Sequence, residues 1–169
     1  MSKKEKTAPE FFRENRLIFL ALFFAQIIFA FIALFIVQTG DSVDATQDLK
    51  DVFMIAVPIF IGAAMITGPV VFGIRLKHIM RMEDLTRKMP NYRIALMIRW
   101  AIFQTASFFG IIVFLTTGEW IHIILAVIVM IAFLMSMPNK DKAIKDLELS
   151  ANEQQKLNDP NEIIAIMDN

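Results

Sequence analysis

Charge nearly vanishes from four windows of the chain, at 17–37, 52–74, 94–115 and 120–137. Between them polar and charged residues return in clusters. A bilayer core about 30 Å thick takes roughly 20 apolar residues of helix. In lipid each window must satisfy its own backbone groups, which predicts four transmembrane helices. Gln26 is the one strongly polar residue of the first window, and Arg99 and Gln104 interrupt the third. The fourth is the shortest and stops at Pro138. A basic start with Lys3, Lys4 and Lys6 suits a cleavable signal peptide. The apolar run behind it exceeds the usual h-region of about 7–15 residues and no small-x-small site follows, so a retained first helix is expected.

The seams orient the bundle. Lys3, Lys4, Lys6, Arg13 and Arg16 precede the first window. Arg75, Lys77, Arg81, Arg87, Lys88 and Arg93 separate the second and third, and Lys140, Lys142, Lys145 and Lys156 follow the fourth. The first–second seam holds only Lys50, beside Asp41, Asp44, Asp48 and Asp51. The third–fourth seam, Thr116, Thr117, Gly118 and Glu119, has no basic residue. By the positive-inside rule both termini and the middle loop are cytoplasmic, and Trp120 at the outer edge with Tyr92 and Trp100 at the inner one agree.

The second helix is expected to run on into the cytosol and stop before Pro90, because the residue before a proline disfavours helix. The basic stretch 75–89 serves as a topology signal, with anionic lipid heads as the functional alternative. Two helix starts mark the tail. Ser150 with Glu153 forms a capping-box pattern. Asp159, Pro160 and Glu162 form another, with proline at the first helical position. Ile163, Ile164, Ile166 and Met167 then either dock or fray.

Candidate chemistry is sparse. The chain has no cysteine, which removes disulfides, thiolate catalysis and cysteine metal sites. Its formal net charge is zero, so nothing attracts nucleic acid globally. His78 and His122 fall on opposite sides of the membrane and cannot share a metal. No carboxylate lies within a window, which disfavours a membrane proton relay. No nucleotide loop, nucleophile–base pair or zinc motif occurs. The expectation is a chain that is not an enzyme and has no catalytic residue, metal or cofactor.

Three intramembrane polar residues form the candidate site. Arg99 lies about 8 Å into its window. It either snorkels to the inner headgroups or faces inward, where the small residues Ala106 and Gly110 on its side favour close packing. Gln26, on the face of Ala30 and Ala33, and Gln104 either hydrogen-bond between helices or line a polar cavity. In the second window Pro58, Gly62, Pro69 and Gly73 fall within about 60° of one another around the helix. This stripe either admits a close neighbour or acts as a hinge, since Pro69 removes a backbone bond near Met65.

One internal echo stands out: Gln26 precedes Thr39, Gly40 and Asp41 as Gln104 precedes Thr117, Gly118 and Glu119, with Phe31 and Phe109 in register. Tyr92 through Arg99 to Thr117-Gly118, then Pro138 and the tail Asp146-Leu147-Glu148-Leu149-Ser150, resembles a group of uncharacterised bacterial four-span membrane proteins. The resemblance covers the second half of the chain. It implies an inner-membrane location and no defined activity.

The sequence therefore predicts an all-α, integral membrane four-helix bundle, with both termini cytoplasmic. Residues 1–138 form the transmembrane domain and 139–169 a cytoplasmic helical tail. Expected partners are the lipid bilayer and other membrane subunits or further copies of the chain. The function expected is that of a structural or accessory subunit of a membrane complex, with a small oligomeric transporter or channel as the alternative.

Overall fold

The structure, a computed structural model, describes residues 3–40 and 45–168. Asp41 and Asp44, which the sequence places in an acidic outer seam, lie outside the described residues. In chain order the elements are β1 (Lys3–Thr7), α1 (Ala8–Thr39), α2 (Gln47–Met80), α3 (Leu85–Thr117), α4 (Trp120–Met135), α5 (Lys140–Asp146), α6 (Ala151–Asn158) and β2 (Ile163–Asp168). The protein is a mostly helical membrane-spanning chain. Helices α1, α2 and α3 are each long and apolar enough to cross a bilayer. Helix α4 is apolar but has only 16 residues, about 24 Å at 1.5 Å each, and it reaches span length only together with α5, from which it bends by 86°.

The all-α expectation needs correction, because the two ends of the chain form a small antiparallel sheet. Lys4 pairs with Met167, Glu5 with Ile166 and Lys6 with Ala165, and the register shifts between Lys6 and Thr7. The helix expected from Pro160 onward does not form. Asp159 instead accepts the Asn161 N–H in a tight turn, at 2.9 Å. The β-branched Ile163, Ile164 and Ile166 that follow favour a strand, and a helix this short at the chain end would be marginal.

Four other boundaries have identifiable causes. The second helix stops at Met80, well before Pro90. Asp84 then starts α3: its carboxylate accepts the Thr86 N–H at 3.0 Å and the Thr86 hydroxyl at 2.6 Å. Pro90 is consequently inside α3, near its beginning. Helix α4 ends before 137 because Ser136 turns back, its hydroxyl donating to the Phe133 carbonyl at 2.6 Å while its own carbonyl accepts from the Trp100 indole at 3.5 Å. Helix α6 opens with the expected capping box, Ser150 and Glu153 each serving the other's backbone N–H. Helix α5 closes with a bond from the Leu149 N–H to the Ile144 carbonyl, which puts Glu148 at a φ of 47°.

The chain divides into two compact units. One comprises Met1–Leu20, Val70–Arg99 and Met137–Asn169, so the tail shares a unit with the N-terminal segment and the α2–α3 turn. Its core holds Phe11, Tyr92, Met89, Leu147, Leu157 and Ile164, all buried. The other comprises Ala21–Pro69 and Trp100–Ser136. Here Ala30 and Ala33 of α1 pack with Ile111 and Phe114 of α3 and Ile123 and Ala126 of α4. Small residues at this seam let the backbones come close, which is how helices associate where burial from water offers no drive. Gly110 does the same. A Cβ there would lie 3.1 Å from both the Ala126 Cβ and the His122 carbonyl oxygen.

Candidate functional site

Helix α1 presents Phe19, Gln26, Ala30 and Ala33 inward, at spacings that keep them on one face. Gln26 is fully buried, and neither end of its amide finds a hydrogen-bond partner among the described residues. Ser107 of α3 and His122 of α4, in the same unit, are also fully buried with polar atoms unpartnered. Gln104 is only half-buried. The two glutamines that share a place in the internal echo thus have unlike surroundings. The shared Thr-Gly ending has a simple cause: Gly40 and Gly118 follow the last helical residue with φ of 79° and 72°, conformations glycine adopts without strain.

Arg99 belongs to the other unit. It is half-buried, with its guanidinium carbon 5.1 Å from the centroid of the Phe72 ring. A cation over an aromatic face at this distance gains about 0.5–2 kcal/mol. Around it, the Tyr92 hydroxyl donates to the Asp146 carboxylate at 2.8 Å, and Asp146 also attracts Arg99. A carboxylate from the tail thus bonds Tyr92 and adds negative charge to the surroundings of Arg99, which the sequence did not suggest.

The Pro/Gly stripe does not coincide with the face of α2 that packs within the chain. Helix α2 is continuous through both prolines. Its inward face is Val57, Ile61, Ala64, Gly68 and Phe72, each buried. Pro58, Gly62, Pro69 and Gly73 are each one residue further on, about 100° around the helix. Pro58 and Pro69 are exposed, and a Cβ at Gly62 or Gly73 would touch nothing. The glycine that does admit a neighbour is Gly68, whose added Cβ would sit 2.8 Å from the Phe103 ring. Pro69 is nonetheless the last residue of its unit, with Val70 opening the next.

Sequence reasoning missed the polar contacts that tie the tail and the N-terminal strand to α1 and α3. Lys88 and Glu153 form an ion pair at 2.6 Å with side chains only 8% and 15% exposed. Burial pushes the Glu153 carboxyl up, but the bonds from Lys88 and from the Ser150 backbone and hydroxyl outweigh it and hold the group below its ordinary range. Glu14 receives two cations, Lys6 and, at 3.5 Å, Arg93. The trace of the Lys88–Glu153 and Glu14–Arg93 pairs in the sequence is only opposite charge on distant segments. Among the described residues no group of three or more metal-binding side chains is gathered. Comparison with family models, with curated proteins and with solved structures yields no match.

Proposed function

We propose that this chain crosses the bacterial inner membrane four times, with both ends in the cytoplasm, as a non-catalytic structural or accessory subunit of a larger membrane complex. One observation carries the reading. Residues 3–7 and 163–168 pair in a single sheet. Two ends held in one sheet lie on one side of a bilayer, so the number of crossings is even and α4 joins α1, α2 and α3 as a span. The bond from the Ala45 N–H to the Thr116 carbonyl, at 3.2 Å, supports this by joining the two connections at the other helix ends. The excess of lysine and arginine beside the sheet and the α2–α3 turn selects the cytoplasm for that side. The short α4 is accommodated by local thinning of the bilayer.

The sheet, the tail helices and the part-buried ion pairs give the cytoplasmic side a fixed shape, as a surface read by other subunits requires. Large apolar side chains such as Phe24, Phe31 and Phe35 face outward along α1, available to lipid or to neighbouring subunits. Mild detergent extraction from native membranes, followed by mass spectrometry, tests the proposal. It predicts that the same membrane proteins co-purify in every replicate. A chain that always runs alone contradicts it.

A second reading, a small oligomeric transporter or channel, draws support from the unpartnered amide of Gln26 deep inside its unit. Proteoliposomes whose potassium, chloride and proton leaks match those of protein-free vesicles would overturn that reading.

A further inference from the structure

A groove of about 1400 Å³ runs beside β1 and the start of α3, entirely within the unit that contains the tail. It exceeds the roughly 300–1,000 Å³ typical of small-ligand pockets. One part of its wall is apolar and exposed: Ile94, Met97 and Ile166. Another part is charged, with Lys4, Lys6, Arg87 and Arg93 against Glu83 and Asp84.

The charges are unequally committed. Lys6 and Arg93 share the single carboxylate of Glu14, and Arg93 also approaches the Met167 sulfur at 3.1 Å. Asp84 is occupied by the backbone and hydroxyl of Thr86. Lys4 and Arg87 are exposed. With Glu14 counted, the groove keeps a surplus of positive charge. Ile94 opens the third apolar window, so on the proposed sidedness the apolar wall leads toward the bilayer and the cationic wall lies at its cytoplasmic edge.

We infer that this groove binds an anionic phospholipid. Its phosphodiester headgroup is held by Lys4 and Arg87, with Arg93 contributing, and its acyl chains lie on Ile94 and Met97. Neither half of the groove alone favours such an occupant. A soluble anion leaves the apolar wall uncovered, and a zwitterionic lipid brings a quaternary ammonium that the surplus cations repel. The inference rests on the proposed sidedness, which places residues 81–93 at the inner interface, but not on the chain having a protein partner.

The test is native mass spectrometry of the full chain from mixed micelles, offering phosphatidylglycerol and phosphatidylcholine with identical chains. Wild type is expected to retain phosphatidylglycerol at least about tenfold more, and a salt increase to about 1 M should erode the preference. Each cation removed should cost about fivefold, so Lys4→Gln with Arg87→Gln should abolish most of it while helicity by circular dichroism stays unchanged. If the double variant does not fold, a photoactivatable phosphatidylglycerol on wild type decides. Adducts are expected on the peptide holding Ile94 and Met97. Equal retention of both lipids by wild type, a preference that survives the double variant, or adducts only elsewhere would each overturn the inference. Because co-purifying proteins play no part in this readout, its failure is distinct from failure of the accessory-subunit reading.

Discussion

Replacing glycines of α2 and α3 by alanine, one at a time, separates the packing face from its neighbour by a single residue. In a helix interior alanine is favoured over glycine by about 0.5–1 kcal/mol. At Gly62 and Gly73 nothing lies within reach of the added methyl, so both variants should gain that amount. At Gly110 the methyl meets the Ala126 Cβ and the His122 carbonyl oxygen, both at 3.1 Å. Both atoms move only with the backbone of α4, so relief requires the helix to shift. Overpacking of this kind costs about 1–3 kcal/mol, which outweighs the gain. At Gly68 the obstacle is the Phe103 ring, only 1% exposed and so with little room to swing away. The gap between Gly62→Ala and Gly110→Ala should be about 2 kcal/mol, or about 4–8 °C in melting temperature for a chain of this size. Thermal unfolding in mild detergent, followed by the fluorescence of Trp100 and Trp120, measures it. If Gly62→Ala proves as destabilising as Gly110→Ala, the face containing Pro58, Gly62, Pro69 and Gly73 is covered, and the reasoning fails.

Further outcomes follow from the same contacts. Glu153→Gln leaves the Lys88 ammonium buried beside a neutral amide and should cost about 1–3 kcal/mol, read as faster hydrogen exchange in α6. In wild type the carboxyl is held below its ordinary value of about 4.3. Its stabilising contribution is therefore complete above that value and is lost as pH falls through the lower folded one, so exchange in α6 should rise in acid for wild type and change less for Glu153→Gln. Glu148→Gly relieves a left-handed residue and should raise the stability of the tail by about 1 kcal/mol, checked by limited proteolysis. Gln26→Leu replaces an unpartnered buried amide with an apolar side chain and should be neutral or stabilising by about 1–2 kcal/mol in the same thermal assay; a clear loss would reveal a partner for the amide.

Much of the helical frame was legible because a membrane leaves few alternatives. A run of apolar residues in lipid must be helical to satisfy its own backbone. The Ser150–Glu153 capping box was legible because both partners sit within one turn. Which face of α2 packs was not, because a helix that is apolar all round has no polar side to orient it, and an error of one residue rotates the face by about 100°. Pro90 was read as a stop when the actual restart signal was Asp84 capping Thr86. The sheet was illegible for a different reason. Lys4 and Met167 sit at opposite ends of the chain, and neither strand has a local pattern naming its partner. For the candidate site, Ala30 and Ala33 share the face of Gln26 and are buried with it, whereas the Asp146 carboxylate bonded to Tyr92 near Arg99 comes from the distant tail.

Sidedness of the α3–α4 turn relative to the tail tests the central claim most directly. The chain has no cysteine, so each introduced thiol is unique. Thr39→Cys and Glu119→Cys place it at the turns joining the helices, and Glu5→Cys and Asn152→Cys place it in β1 and α6. A membrane-impermeant maleimide is applied to spheroplasts and then to inverted vesicles. Four crossings predict labelling of positions 39 and 119 from outside only, and of positions 5 and 152 only in inverted vesicles. Labelling of positions 119 and 152 from the same side would mean that α4 does not cross, and would contradict the account.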